Sequence, residues 1–281
     1  MNNFKRLMAM GMVLVLCVLP LAACSAGTEP APSATENLRG EGIYFYNTLN
    51  YPTGPDDSVD FPEAYAIKAR DAHTENSDTV GWLAVPDTSL DDVVVWYPGD
   101  RNEFYLRRDF NKRWSWDGSY FADYRAHFNG GRAGLSQNIV IYGHSMEDDP
   151  NKPLFSQLKK FLSVDFAQMH PYIYFSTPDE DMAWEIFAVF YGTNRLPYNT
   201  PNPSAEEFSN IITEVRARSI YNYSTKVTAE DTVITLSTCC YNFTPVYPND
   251  YRYVIMARLV PAGEQLRATA DFEINPSPKA P

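Results

Sequence analysis

Thr235-Leu236-Ser237-Thr238-Cys239 follows the apolar run Thr232-Val233-Ile234, and together they read as a β-strand that ends on a thiol. A strand end is a rigid place to hold a reactive group at the mouth of a cleft. Two further strands frame it. Asn138-Ile139-Val140-Ile141-Tyr142 lies upstream and ends in Gly143-His144. Tyr253-Val254-Ile255-Met256-Ala257 lies downstream and is opened by Arg252. A Cys, a His and an Arg at three strand ends are the parts of an acyl-transfer site: a nucleophile, a proton carrier and a donor for a developing oxyanion.

Outward from these three, the chain from Gly81 onward is a series of short strands broken by Gly, Pro, Asn and Asp. Val93–Tyr97 ends at Pro98-Gly99-Asp100, and Tyr172–Ser176 ends at Thr177-Pro178-Asp179, both turn signals. Met182–Tyr191 is a long apolar run, as expected of a strand buried on both faces. Two helical patterns interrupt. Leu154, Phe155, Leu158, Phe161 and Leu162 form one apolar face. Phe208, Ile211, Ile212 and Val215 form another, after Ser204 and Glu207 in capping-box spacing. A third helix is expected from Pro62 to about Asn76, with Asp60 as a candidate cap. Many short strands in one unit favour a closed barrel, which removes sheet edges. No internal repeat and no second domain is visible.

The 281 residues include 44% hydrophobic residues, with 19 Tyr and 16 Phe, ample for a packed core. The formal charge is −12, which argues against a nucleic acid partner, since phosphate binding needs a basic footprint. An acidic surface keeps an exported protein soluble. The N-terminus has the form of an export leader. Lys5-Arg6 precede an apolar stretch from Leu7 to Leu21, short of the roughly 20 residues that span a bilayer. Leu21-Ala22-Ala23-Cys24 then resembles a bacterial lipobox, with Cys24 lipidated after removal of residues 1–23; an uncleaved signal-anchor is the alternative. Residues 24–58 read as a flexible tether, and residues 271–281, rich in Pro, as a disordered tail. Cys17 leaves with the leader, so only the adjacent Cys239 and Cys240 remain in the domain. A disulfide between neighbours closes almost no loop, and a retained thiol in an exported protein invites a catalytic reading.

The order and content of several segments resemble the class B sortases, cysteine transpeptidases of Gram-positive cell surfaces. The segments are Gly81-Trp82-Leu83, Asn102-Glu103-Phe104-Tyr105-Leu106, Gly118–Arg125, Ile141–Met146 with Leu154-Phe155 and Leu158–Phe161, Trp184–Val189, Thr235–Cys239, and Arg252 leading a strand. They run from about residue 60 to 262. The resemblance implies a mainly β fold: an eight-stranded sortase barrel with a few peripheral helices, including an N-terminal one, over residues 59–270. It also implies a reaction. Cys239 attacks the carbonyl after Thr in a sorting signal such as Asn-Pro-x-Thr-Asn near the C-terminus of a secreted protein. An amine of a peptidoglycan precursor or a pilin then resolves the thioester. No cofactor is expected.

Within that resemblance His144 is the acid/base, its ordinary pKa near 6.5 suiting work in both directions. Arg252 is the oxyanion donor, with Arg258 as fallback because the insert Tyr241–Tyr251 disturbs the register. Cys240 is a rival thiol, but strand neighbours face opposite ways; its backbone N–H is the second oxyanion donor the family implies. Ser237 shares the face of Cys239, and Asn102, Leu106 and Tyr198 complete a peptide groove; Leu106 and Tyr198 can equally be core, and Asn102 a turn residue. His73, His127 and His170 read as surface residues. No metal site is expected, since no second Cys pair or helical His pair is present.

Two other readings compete. Gly143-His144-Ser145-Met146-Glu147 nearly spells a serine-hydrolase elbow, but Glu147 stands where a small residue is required. A non-catalytic surface lipoprotein that binds peptide or cell wall is the other.

Overall fold

The computed structural model describes residues 58–99, 102–243 and 249–281. The leader, Cys24 and nearly all of the tether lie outside the described residues. The elements are β1 (Ser58–Val59), α1 (Tyr65–Glu75), β2 (Thr79–Ala84), β3 (Asp91–Val95), β4 (Tyr120–Ala122), β5 (Asn138–Tyr142), α2 (Val164–Met169), β6 (Tyr172–Ser176), β7 (Ala183–Thr193), α3 (Ala205–Arg218), β8 (Tyr221–Tyr223), β9 (Val233–Cys239), β10 (Tyr251–Leu259), β11 (Leu266–Arg267) and β12 (Phe272–Ile274). Eight of these strands form a closed barrel in the order β10-β7-β6-β2-β3-β4-β5-β9. The β3–β4 and β5–β9 pairs are parallel and the other pairs antiparallel.

Closure makes two kinds of apolar surface. The interior is filled from all sides, with Ile141, Phe175, Trp184, Ile234, Leu236, Tyr253 and Ile255 in one cluster. The outer face of β7, β9 and β10 is covered by α3, whose Phe208, Ile211, Ile212 and Val215 pack on Phe187, Val233, Val254 and Met256. β7 therefore has no solvated face, and every residue from Ala183 to Gly192 is buried. That is the physical origin of its unbroken apolar run. α3 begins at the expected place, with the Ser204–Glu207 capping box formed.

Three expectations are corrected. First, α1 starts at Tyr65, and Ala64 at its N-cap offers no side-chain bond. Its Ala66 N–H is accepted instead by Asp181 Oδ1 at 2.7 Å, a cap from a distant loop and not from Asp60. Second, His170 is buried rather than at the surface. It stacks on Phe166 with centroids 3.9 Å apart and bonds Phe166 O and Asp87 Oδ2. Third, residues 271–281 are not a loose tail. β12 pairs antiparallel with β8, Phe272 packs on Tyr221 and Tyr223, and Lys279 N–H donates to Ala217 O at 2.8 Å. Prolines in that segment prevent a helix but not packing. The nominal end of the tether is likewise engaged, because Ser58-Val59 pair with Leu266-Arg267.

Removing residues 271–281 uncovers Tyr221 and Tyr223 and breaks the β8–β12 ladder. The expected loss is on the order of 2 kcal/mol, read as a lower denaturant midpoint. An unchanged midpoint would show the segment to be dispensable to the fold.

Candidate active site

Backbone pairing sets the site. In the antiparallel β9–β10 ladder Cys239 lies directly opposite Arg252. In the parallel β5–β9 ladder Ile141 pairs with Leu236 and Tyr142 with Ser237. The next residue, Gly143, continues the contact: its N–H donates to Ser237 O at 3.4 Å, and its carbonyl accepts Thr238 Oγ1 at 2.7 Å. β5 itself ends at Tyr142, and these two bonds hold the segment that carries His144 against the end of β9. Neighbouring strands lie about 4.8 Å apart, so Cys239 and Arg252 stand side by side at one rim of the barrel, and the Gly143-His144 segment flanks β9 on its other side.

Alternation along β9 separates the two thiols. Ile234, Leu236 and Cys240 face the interior, whereas Val233 packs in the outer cluster, and Cys239 shares its side of the strand. Cys240 is wholly buried and Cys239 partly exposed. Burial, reinforced by the nearby charge of Asp148, pushes the Cys240 thiol up to about 12, so that group stays protonated at neutral pH.

His144 follows a glycine for a steric reason. A Cβ at position 143 would lie 2.8 Å from the rings of both Phe155 and Tyr120. These two rings stack with centroids 4.8 Å apart and press on the backbone just before the imidazole. His144 Nε2 lies 2.8 Å from Leu106 O. A carbonyl only accepts, so Nε2 carries the hydrogen, and in the neutral ring Nδ1 is the acceptor. Burial holds the His144 pKa below its usual value; the Leu106 bond opposes this, and the Arg107 cation adds to it. The imidazole is therefore neutral at pH 7.

Arg252 Nη1 donates to Asn249 O at 2.7 Å and Tyr251 O at 2.8 Å, which pins the guanidinium at the start of β10. Arg258 sits at the opposite end of that strand, tied to Glu185 at 3.0 Å and Glu264 at 3.2 Å. The Cys240 N–H differs from expectation: it donates to Tyr251 O at 3.3 Å, within the β9–β10 pairing rather than toward the cleft.

The four groove candidates fall into different settings. Tyr198 OH and Ser237 Oγ form a buried hydrogen bond of 3.0 Å, and burial raises the Tyr198 pKa while the Ser237 bond and the Arg252 cation oppose the shift. This pair underlies the face that carries the thiol. Leu106 is 36% exposed and adjoins the imidazole through its carbonyl. Asn102 takes a left-handed φ of 74°. Its amide donates to Asp123 Oδ2 at 3.1 Å and accepts the Tyr124 N–H at 2.7 Å. Asp123 is fully buried and also holds Arg125 and Tyr142 OH. The Asn102 side chain is thus engaged within the protein rather than offered to a ligand. Among the described residues no cluster of three or more His, Cys, Asp or Glu could hold a metal ion.

Sequence reading missed Lys159 and Asp148, which lie directly behind the site. The segment Phe155–Leu162 is a 3₁₀ helix, and its period of three explains the miss. Phe155, Leu158 and Phe161 make the apolar stripe, while Ser156 and Lys159 align on a second stripe that is also buried. A 3.6-residue reading sets Lys159 only at the edge of the apolar face.

A family model described as the Sortase domain matches residues 83–260, more than half of the chain. The chain belongs to the sortase family. Its relatives point to class B. It is 34% identical over 171 residues to sortase B of Listeria monocytogenes, covering 60% of this chain and 66% of that protein. It is 29% identical over 165 residues to sortase B of Staphylococcus aureus, covering 58% and 64%. The match thus spans slightly under two thirds of the length of these relatives. Among solved structures, a Staphylococcus aureus sortase B–substrate complex aligns with a TM-score of 0.60 at 25% identity, over 72% of this chain and 88% of that one. Sortase B from Listeria monocytogenes aligns at 0.56 and 32% identity, over 67% and 98%. A Bacillus anthracis protein similar to sortase B aligns at 0.56 and 30%, over 68% and 81%.

The His144 ring should titrate with a midpoint below about 6.5 when followed by its ring-proton NMR shifts. The sign for stability follows from linkage. The unfolded chain takes up the proton first, so this group's contribution is full above about pH 6.5 and is lost as pH falls toward the folded-state value. A midpoint at or above 6.5 would contradict the burial argument.

Proposed function

We propose that this chain is a class B sortase-type cysteine transpeptidase acting on the outer face of a Gram-positive cytoplasmic membrane. The observation that supports the reading is Cys239 opposite Arg252 in the β9–β10 ladder, with Gly143, the residue before His144, bonded to β9 at Ser237 and Thr238. The family match and the class B relatives support it.

The chemistry follows from the groups in place. Neutral His144 accepts the thiol proton of Cys239 at Nδ1 as the sulfur attacks the Thr carbonyl carbon of a sorting signal such as Asn-Pro-x-Thr-Asn, which is cleaved after that Thr. Negative charge develops on the carbonyl oxygen beside the Arg252 guanidinium, and such a donor can lower the barrier by about 3 kcal/mol. The imidazolium passes its proton to the departing amine, the C–N bond breaks, and a thioester on Cys239 remains. An amine of a peptidoglycan precursor or a pilin lysine then attacks. His144 takes its proton, and the thiol is regenerated when the new amide forms. Leu106 and the Tyr198–Ser237 pair would border the bound peptide. Residues 1–23 would serve as the export leader, Cys24 as the lipidated anchor, and the segment beyond it as the tether.

Cys239→Ala should abolish cleavage of a fluorogenic sorting peptide, at least 1000-fold in kcat, while Cys240→Ala retains most activity. Intact-mass analysis of the parent chain with a library of sorting peptides should show an acyl adduct on Cys239. Full activity in Cys239→Ala, or loss confined to Cys240→Ala, would overturn the assignment. A chain that binds such peptides without any adduct would instead be the surface-binding lipoprotein.

A further inference from the structure

The Lys159 side chain has no solvent exposure. Burying an ammonium costs several kcal/mol unless it is paired and hydrogen-bonded, and every partner of this one belongs to the two segments that carry the thiol and the imidazole. Nζ lies 3.0 Å from Asp148 Oδ1. It donates to Ser145 Oγ at 2.5 Å and Glu147 O at 3.1 Å, both just after His144. It also donates to Cys239 O at 3.4 Å. Asp148 extends the link, since its Oδ2 accepts the Tyr241 N–H at 2.6 Å, and Tyr241 OH donates back to Ser145 O at 3.3 Å. Ser156, on the same helical stripe, accepts the Met146 N–H at 2.8 Å. Burial lowers the Lys159 pKa and the Asp148 charge opposes that shift.

We propose that Lys159 is a positioning residue. With Asp148 it clamps the segment after His144 to the end of β9 and so sets the separation of imidazole and thiol. The inference rests on the assignment of Cys239 and His144 above. Two features argue for more than stability. A buried ion pair is replaceable by neutral groups of similar volume with little loss of stability, so stability alone does not call for charges at this place. The peptide unit between Cys239 and Cys240 is also gripped at both ends, its carbonyl by Lys159 and its N–H by Tyr251 O. That fixes the backbone from which the nucleophile projects. Loss of the clamp removes attachment points between the imidazole segment and β9, whereas Leu106 and the Tyr198–Ser237 pair, which border the peptide, do not touch it. The expected signature is a loss in kcat rather than in KM.

The test compares the full chain with Lys159→Met and with Lys159→Met/Asp148→Asn, using the sorting peptide the parent cleaves fastest and normalising rates to the folded fraction by circular dichroism. The single variant leaves a partly buried carboxylate without its cation and can fail to fold. The double variant is charge-neutral and keeps an acceptor for the Tyr241 N–H. The expected result is a folded double variant with kcat at least tenfold lower and KM within twofold of the parent. Parent-level kcat in the double variant, or a change confined to KM, would overturn the inference. Cys239→Ala run alongside separates this failure from failure of the site itself: a dead Cys239→Ala with a fully active double variant removes only the role of Lys159.

Discussion

β9 is paired on both sides, parallel to β5 and antiparallel to β10, and the placement of the catalytic candidates depends on those two registers. A slip of one residue in either ladder would turn the slipped strand's side chains to the opposite face. Cys239 and Arg252 would then part, or the segment leading to His144 would lose its bonds to Ser237 and Thr238. The registers are held by burial. Cys240, Leu236 and Ile234 fill the barrel interior while Val233 packs under α3, so a one-residue slip would turn this apolar set away from both packing surfaces.

The polar groups around this rim are each anchored from a different direction. The His144 ring is oriented by the Leu106 carbonyl, the Arg252 guanidinium by two carbonyls of its own loop, and the end of β9 by Lys159 from behind. The Arg252 and Lys159 bonds lie in partly buried settings, where a lost partner is costly. The thiol is the partly exposed member of the Cys239–Cys240 pair, as a nucleophile that must meet a peptide requires.

Elements whose signal was local were legible in the chain. β5 and β6 fall at the expected residues, as does the capping box of α3, because periodicity and caps act over a few neighbours. Elements governed by distant partners were not. The cap of α1 comes from Asp181, and the C-terminal strand pairs with β8, a partner some fifty residues away in the chain. Phe155–Leu162 was legible as helical, but its 3₁₀ period, and with it the burial of Lys159, was not.

The sequence by itself determined the strand-rich class, the strand that ends in Cys239 and the motif order that marks a sortase. Only the tertiary structure decided which carbonyl fixes the histidine tautomer, that Asn102 is engaged with Asp123, that the Cys240 amide pairs with β10, and that an ammonium lies behind the site. The physical reason is one of range. Propensity and alternation are properties of adjacent residues, whereas each of these contacts joins segments that become neighbours only when the barrel closes.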